Sequence, residues 1–347
     1  MSQIQRISRN SDTPPLLIAE ISANHGGSLE LMKEQISAAA ESGADMVKIQ
    51  TYTAETMTLD CDRQDFQITH GKWKGRSLFA LYKSAETPRE WHQEIFDYAE
   101  RIGIEMFSTP FDETAVDFLE QFDLPAYKIA SFEMTDTELV KYVAKKKKPV
   151  LMSTGMATER EVSSSLSLLR PHLSNDEILL FHCISEYPAT LSDSNLSMIQ
   201  VLRDTFDVNV GLSDHTEGPA AAIVATALGV RAIEKHFTLS RAISSEDGSF
   251  SIEPKEFRAL KQSVTETYSA VTSRPWVRSG GEQLNMQFRR SLYYGDDLIA
   301  GQITDATNIR KIRPGFGLPA SAYRDVLGKK LSRDVSRGDP VRLVDFE

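Results

Sequence analysis

The strongest constraint on this chain is a rhythm. Short runs rich in apolar and β-branched residues recur as LLIAE (16–20), MVKIQTY (46–52), IEMFST (104–109), AYKIAS (126–131), PVLMST (149–154), ILLFHCIS (178–185), VNVGLS (208–213) and AIEKHF (232–237). Longer amphipathic stretches separate them. In SLELMKEQISAAAESGA (28–44) apolar residues return every three or four positions, and Gly43 follows the run. Capping-box patterns at Thr87 to Glu90, Thr135 to Glu138 and Thr158 to Glu161 predict helix starts, with Pro88 suited to a first helical position. Eight strand–helix repeats predict an α/β protein with a (β/α)8 TIM barrel over residues 1–272. An open doubly wound sheet usually carries a glycine-rich phosphate loop after its first strand, and SANHGGS (22–28) matches that poorly.

Two stretches break the rhythm. Residues 53–86 connect the second strand to its helix and are rich in polar and aromatic residues, as in DFQITHGKWKGRSLFALY (65–82). A connection this long in a compact barrel reads either as a functional lid or as a packed surface excursion. After the eighth helix, residues 273–290 read as a linker, and residues 291–347 as a small β-rich domain with Gly-Asp turns.

Composition excludes some classes. A net charge of −10 argues against nucleic acid or an anionic membrane as partner, so any anionic substrate must be held by a few local cations. The two cysteines, Cys61 and Cys183, lack metal-ligand spacing and form no disulfide framework. The first residues carry no apolar signal core and no stretch approaches a membrane span, so a cytoplasmic location is expected.

Polar residues at the C-terminal tips of barrel strands mark the catalytic face. This chain has them on nearly every strand: Glu20, Asn24 and His25; Lys48 and Gln50, two apart and so on one face; Lys128, Ser131 and Glu133; Ser153; His182, Ser185, Glu186 and Tyr187; Ser213, Asp214 and His215; Glu234 and His236. A lone serine there is more often a helix cap and a lone lysine more often snorkels to solvent, but one end of one barrel gathers all of these. Two lysines with several hydroxyls suit a small ligand carrying phosphate and carboxylate. His215 and His236 read either as a pair that shares a divalent ion, with open positions for water and substrate, or as buried hydrogen-bonded histidines. The run KKKK (145–148) precedes the fifth strand, at the opposite face, and reads as a solvated turn.

The strings IAEISANHGGS, VKIQTYT, STPF, AYKIASFE, STGMAT, GLSDHT and IEKHFTL occur in that order, followed by IRPGFGLP and SRGDPV in the tail. Together they resemble the sialic acid synthase family, whose barrel carries a C-terminal antifreeze-like (SAF) domain. Within it the match is closest to the pseudaminate-forming branch, through IQTYTAETMTL (49–59), WKGRSLFALYKSAETPREWH (73–92), YKIASFE (127–133) and SSEDGSFS (244–251). The N-acetylneuraminate and legionaminate branches are the alternatives.

The resemblance implies condensation of phosphoenolpyruvate with an N-acetylated amino-sugar aldehyde and release of phosphate. It implies a phosphoenolpyruvate site of Lys48, Lys128, Ser131, Ser153, Ser185 and Ser213, with Ser185 standing where N-acetylneuraminate synthases often carry Asn. His215 and His236 would hold Mn²⁺ or Mg²⁺, and Gln50, Glu133, Tyr187, Asp247 and Arg313 would meet the sugar. Arg313 would come from the SAF domain of a partner, in a domain-swapped homodimer. Glu20 lies where it could act on the charge developing at the enol carbon, so the catalytic set is Glu20, Lys48, Lys128, His215 and His236. Two rival readings stand beside this one: a Schiff-base aldolase with Lys48 or Lys128 as nucleophile, and a non-enzymatic sugar- or ice-binding protein.

Overall fold

The computed structural model describes residues 2–8, 12–272 and 276–347. The chain divides into two compact units, 1–272 and 273–347. In the first, eight parallel strands close into a barrel in sequence order: β1 (Leu16–Glu20), β2 (Met46–Thr51), β3 (Glu105–Pro110), β4 (Tyr127–Ile129), β5 (Val150–Ser153), β6 (Ile178–Cys183), β7 (Asn209–Asp214) and β8 (Ala232–His236). β8 closes on β1 in the register Leu16↔Ala232 to Glu20↔His236. The expected barrel is therefore present, with every strand overlapping the run that predicts it.

Side-chain alternation divides each strand between two cores. Outward residues such as Leu17, Val47, Ile129, Val150, Leu180 and Ile233 pack under helices through Met32, Ile36, Ile95 and Val140, all buried. Inward residues begin apolar at the N-terminal end: Leu16, Ile18, Met46, Phe107, Leu151, Leu179 and Phe181 form a second cluster, joined by Ile4 and Ile7 of a short 3-10 helix, Gln3–Ile7. That helix stoppers the bottom of the barrel. Gly211 makes room in this layer, since a Cβ there would lie 2.6 Å from the Phe181 ring.

Two helix starts differ from expectation. The helix Thr137–Ala144 is capped by Asp136, whose carboxylate accepts from Glu138 and Leu139 N–H, so the neighbouring carboxylate displaces Thr135 as cap. At Pro88 the chain enters a 3-10 turn, Arg89–Trp91, before the helix His92–Ile102, and the Thr87 hydroxyl is buried without a hydrogen bond. The box at Thr158 forms as expected.

The connection 53–86 is ordered. It contains helices Ala54–Met57 and Leu78–Ala85, and Gln67 bridges Ser77 to make a short ribbon between them. Among the described residues no helix is long and apolar enough to cross a membrane.

The second unit pairs β9 (Ser291–Tyr294) antiparallel with β10 (Ile309–Ile312), around a core that includes Leu292, Tyr294, Ile309, Val326, Leu331 and Val341. The segment read as a linker holds a helix, Gly280–Asn285, capped by Ser279; its positions 273–275 lie outside the described residues.

Candidate active site

Alternation that buries Leu16 and Ile18 at the barrel floor brings Glu20 inward at the end of β1. The same rule carries Met46 to Lys48 and Gln50, Leu151 to Ser153, Phe181 to Cys183, and Ala232 to Glu234 and His236. These side chains line a cavity of about 450 Å³, with Lys128, Ser131, Glu133, Ser185, Tyr187, Ser213, His215 and Asp247. Every residue that the resemblance assigns to the site from residues 1–272 lines this cavity. Arg313 belongs to the second unit, where it is exposed directly after β10. His182 and Asp214, also at strand tips, point away from the cavity: His182 Nε2 meets Ser194 O at 2.7 Å, and Asp214 pairs with Lys235 at 2.7 Å.

The cavity floor is a charge cluster. Lys48 pairs with Glu20 and lies 3.5 Å from Glu234, while Lys128 donates to both Glu234 oxygens at 3.1 Å. All four side chains are almost wholly buried. Burial works against the charge on Lys48, but Glu20 and Glu234 outweigh it and raise its pKa. For Lys128, burial wins with help from Lys48, and its pKa is lowered despite Glu234. Burial would raise Glu234, but the two lysines hold it well below the usual carboxylate range. The cluster is thus two cations and two anions. Glu234, a strand-tip residue given no role from sequence, is the bridge between the lysines; its inward register two residues before His236 is the signal that could have identified it. Cys183 also lines the cavity, its Sγ 3.9 Å from His215 Nδ1.

Above the lysines stand hydroxyls. Ser153 Oγ is buried without a hydrogen bond, and Ser131 Oγ accepts from Gly155 N–H at 3.2 Å. A Cβ on Gly155 would overlap the Ser185 and Ser131 hydroxyls, so only glycine lets the backbone approach this cradle. Two buried ammonium groups, the unpartnered Ser153 hydroxyl and the neighbouring serine hydroxyls make an anion site of phosphate size.

His215 and His236 stand side by side, ring centroids 5.3 Å apart. His215 Nδ1 lies 2.8 Å from Ile184 O; a carbonyl only accepts, so in the neutral ring this nitrogen carries the proton and Nε2 the lone pair. His236 Nδ1 is buried, makes no hydrogen bond, and lies 3.2 Å from the Asp247 carboxylate. An orphaned ring nitrogen beside a correctly oriented imidazole fits a divalent ion. Among the described residues no three His, Cys, Asp or Glu side chains gather tightly enough to enclose one, so the pair would be two ligands of an open site. Tyr187 packs on His215 with centroids 4.2 Å apart.

The far wall is apolar. Met57, Ile68, Trp73, Leu78, Leu81 and Tyr82, all from segment 53–86, line the cavity opposite the charges. Glu133 sits at this boundary, with Oε2 buried and unpartnered, and burial pushes its pKa up to about 7.

The NeuB family model matches residues 35–274 and the SAF domain model residues 289–347. A pseudaminic acid synthase of Campylobacter jejuni is 44% identical over 337 residues, 97% of this chain and 98% of the relative. An N,N'-diacetyllegionaminic acid synthase of Legionella pneumophila is 34% identical, over 95% of this chain and 94% of its own. Among solved structures, an N-acetylneuraminic acid (sialic acid) synthetase from Leptospira borgpetersenii, in complex with citrate, aligns with a TM-score of 0.72 at 28% identity, covering 80% of this chain and 92% of that one.

Proposed function

From the premise that this chain belongs to the NeuB family, with a SAF domain following the barrel in sequence, we propose that it is a pseudaminic acid synthase. It condenses phosphoenolpyruvate with 2,4-diacetamido-2,4,6-trideoxy-L-altrose and releases phosphate. The observation that carries this reading is 44% identity to a pseudaminic acid synthase across nearly the whole of both chains. The cavity supports it, with an anion site at one side and an apolar wall suited to acetyl and deoxy carbons at the other.

Phosphoenolpyruvate is held by Lys48 and Lys128, with Ser131, Ser153, Ser185 and Ser213 supplying directional donors. To bind it, the lysines loosen their contacts with Glu20 and Glu234. Gln50, Glu133, Tyr187 and Asp247 orient the sugar, joined by Arg313 from the SAF domain of a partner subunit in a cytoplasmic domain-swapped homodimer. His215 and His236 would hold Mn²⁺ or Mg²⁺, a Lewis acid that polarises the sugar aldehyde when bound. The enol carbon C3 attacks the aldehyde carbon, and positive charge grows at C2. Glu20, freed from Lys48, stabilises that charge and takes a proton from the water that adds at C2. The C2–O bond to phosphate then breaks as the C2 hydroxyl becomes a carbonyl; its proton and the one taken by Glu20 pass to the alkoxide left by the aldehyde oxygen and to the leaving phosphate, which the two ammonium groups stabilise.

The lowered pKa of Lys128 gives the Schiff-base alternative its one physical support. A single assay separates the readings: phosphate release from phosphoenolpyruvate against the altrose compound, its legionaminate-type isomer, N-acetylmannosamine and its 6-phosphate, with and without chelator. Turnover confined to the altrose compound, lost with chelator and restored by Mn²⁺, is expected. Turnover with N-acetylmannosamine alone overturns the branch; a lysine trapped by borohydride overturns the mechanism.

A further inference from the structure

Segment 53–86 is fastened through one acidic residue in the loop after β8. Its central ribbon is closed by Ile68 N–H to Arg76 O and Gly75 N–H to Ile68 O, both at 2.9 Å, with Gly71 and Gly75 at φ 74° and 89°, where glycine is favoured. Side chains from this ribbon and the following helix converge on the Glu246 carboxylate. Arg76 Nη1 donates to Oε1 at 2.6 Å, Ser84 Oγ donates to the same oxygen at 2.7 Å, and Trp73 Nε1 donates to Oε2 at 3.1 Å. The Lys72 ammonium meets the Glu246 main-chain oxygen. Arg76 braces the arrangement through Nη2, which donates to Ala80 O and Ser84 Oγ.

The clasp sits against the reaction chamber. Asp247, the next residue, faces His236 at 3.2 Å. Trp73 lies 6.5 Å, centroid to centroid, from Tyr187, the ring packed on His215. Arg76 and Ser84 do not line the cavity, whereas Trp73 and Glu246 do. Their effect on a ligand therefore passes through the carboxylate they share.

We propose that Glu246 is a positioning residue that sets sugar affinity: it fastens the apolar wall of segment 53–86 in the place where it covers the sugar's acetamido and methyl groups. This rests on the synthase reading above. Among the described residues the clasp makes no hydrogen bond to the lysines or serines of the anion site, so its loss separates the two substrates.

The test uses the full chain. Glu246→Gln and Arg76→Met are each expected to raise the sugar KM about tenfold, with the phosphoenolpyruvate KM and kcat within about threefold of the parent. The double variant should add little to either single one. Without substrates, tryptic cleavage after Lys72, Lys74 and Arg76 (for Arg76→Met, after the two lysines) should speed up about fivefold or more, with thermal unfolding of the barrel unchanged. If Glu246→Gln raises the sugar KM and Arg76→Met does not, Glu246 acts by touching the sugar and the positioning role is overturned. Equal rises in both KM values, or unchanged cleavage, also overturn it. A parent protein without turnover on any sugar sinks the synthase reading instead, and the proteolysis arm then decides the clasp alone.

Discussion

The floor of the cavity places Glu20, Lys48, Lys128 and Glu234 on neighbouring or facing strands of a closed barrel, each group fixed by ladder hydrogen bonds beneath it. The opposite wall hangs on an excursion between β2 and β3 and is held by one carboxylate, Glu246, from the loop after β8, far away in sequence. One region spends buried charge on a small anion, and the other presents apolar surface that a different excursion could reshape without disturbing the strands. On the proposed reading, the chemistry common to the family lies at the floor and the choice of sugar at the wall.

The largest way to break this contrast is at the floor. Lys128→Met leaves Glu234 facing only Lys48, so unfolding stability should drop by about 3 kcal/mol and turnover by about a thousandfold, read by urea titration and phosphate release. Lys128→Met combined with Glu234→Leu should recover most of the stability and none of the activity. A single variant as stable as the parent would mean the four charges are not coupled.

A smaller effect is expected at the wall. Replacing Ile68 or Leu78 by Ser removes apolar surface from the sugar side, and the sugar KM should rise about tenfold while that for phosphoenolpyruvate holds. Discrimination between the deoxy sugar and N-acetylmannosamine should narrow in the same variants. A rise in the phosphoenolpyruvate KM alone would erase the distinction between the two regions.

The smallest effect lies where the regions meet. The Glu133 pKa is raised in the folded protein to about 7. The native state therefore keeps a proton that the unfolded chain has lost, and stability falls as pH climbs from the ordinary carboxyl range through about 7. Glu133→Gln should flatten this slope, gaining about 1 kcal/mol at pH 8 and nothing near pH 4, a figure reduced for partial exposure. Parallel pH–stability curves for parent and variant would contradict the assignment.

Much of the floor was legible in the sequence because a strand has a period of two: once Ile18 and Met46 are inward, Glu20 and Lys48 must follow. The roles of Glu234 and Cys183 were not, since a strand-tip carboxylate or thiol declares no partner until the neighbouring strand is in register. Asp136 displaced Thr135 as a cap because two adjacent residues both could cap, and only backbone geometry chooses between them. The wall was least legible. Length and aromatic content marked 53–86 as a lid, but its bonds to Glu246 span more than 160 residues and leave no local pattern.

The balance of charge on the floor has a further consequence. Two carboxylates face two lysines there, so each lysine already has a partner, and the chain as a whole is anionic. An arriving anion meets berths already taken and enters only by displacing an occupant at more than one of them. A ligand with phosphate and carboxylate on one small frame can do so at both ends together, whereas free phosphate or a lone carboxylate can contest only one. On the proposed reading such a floor would act as a threshold rather than a funnel, favouring the two-headed ligand over abundant single anions.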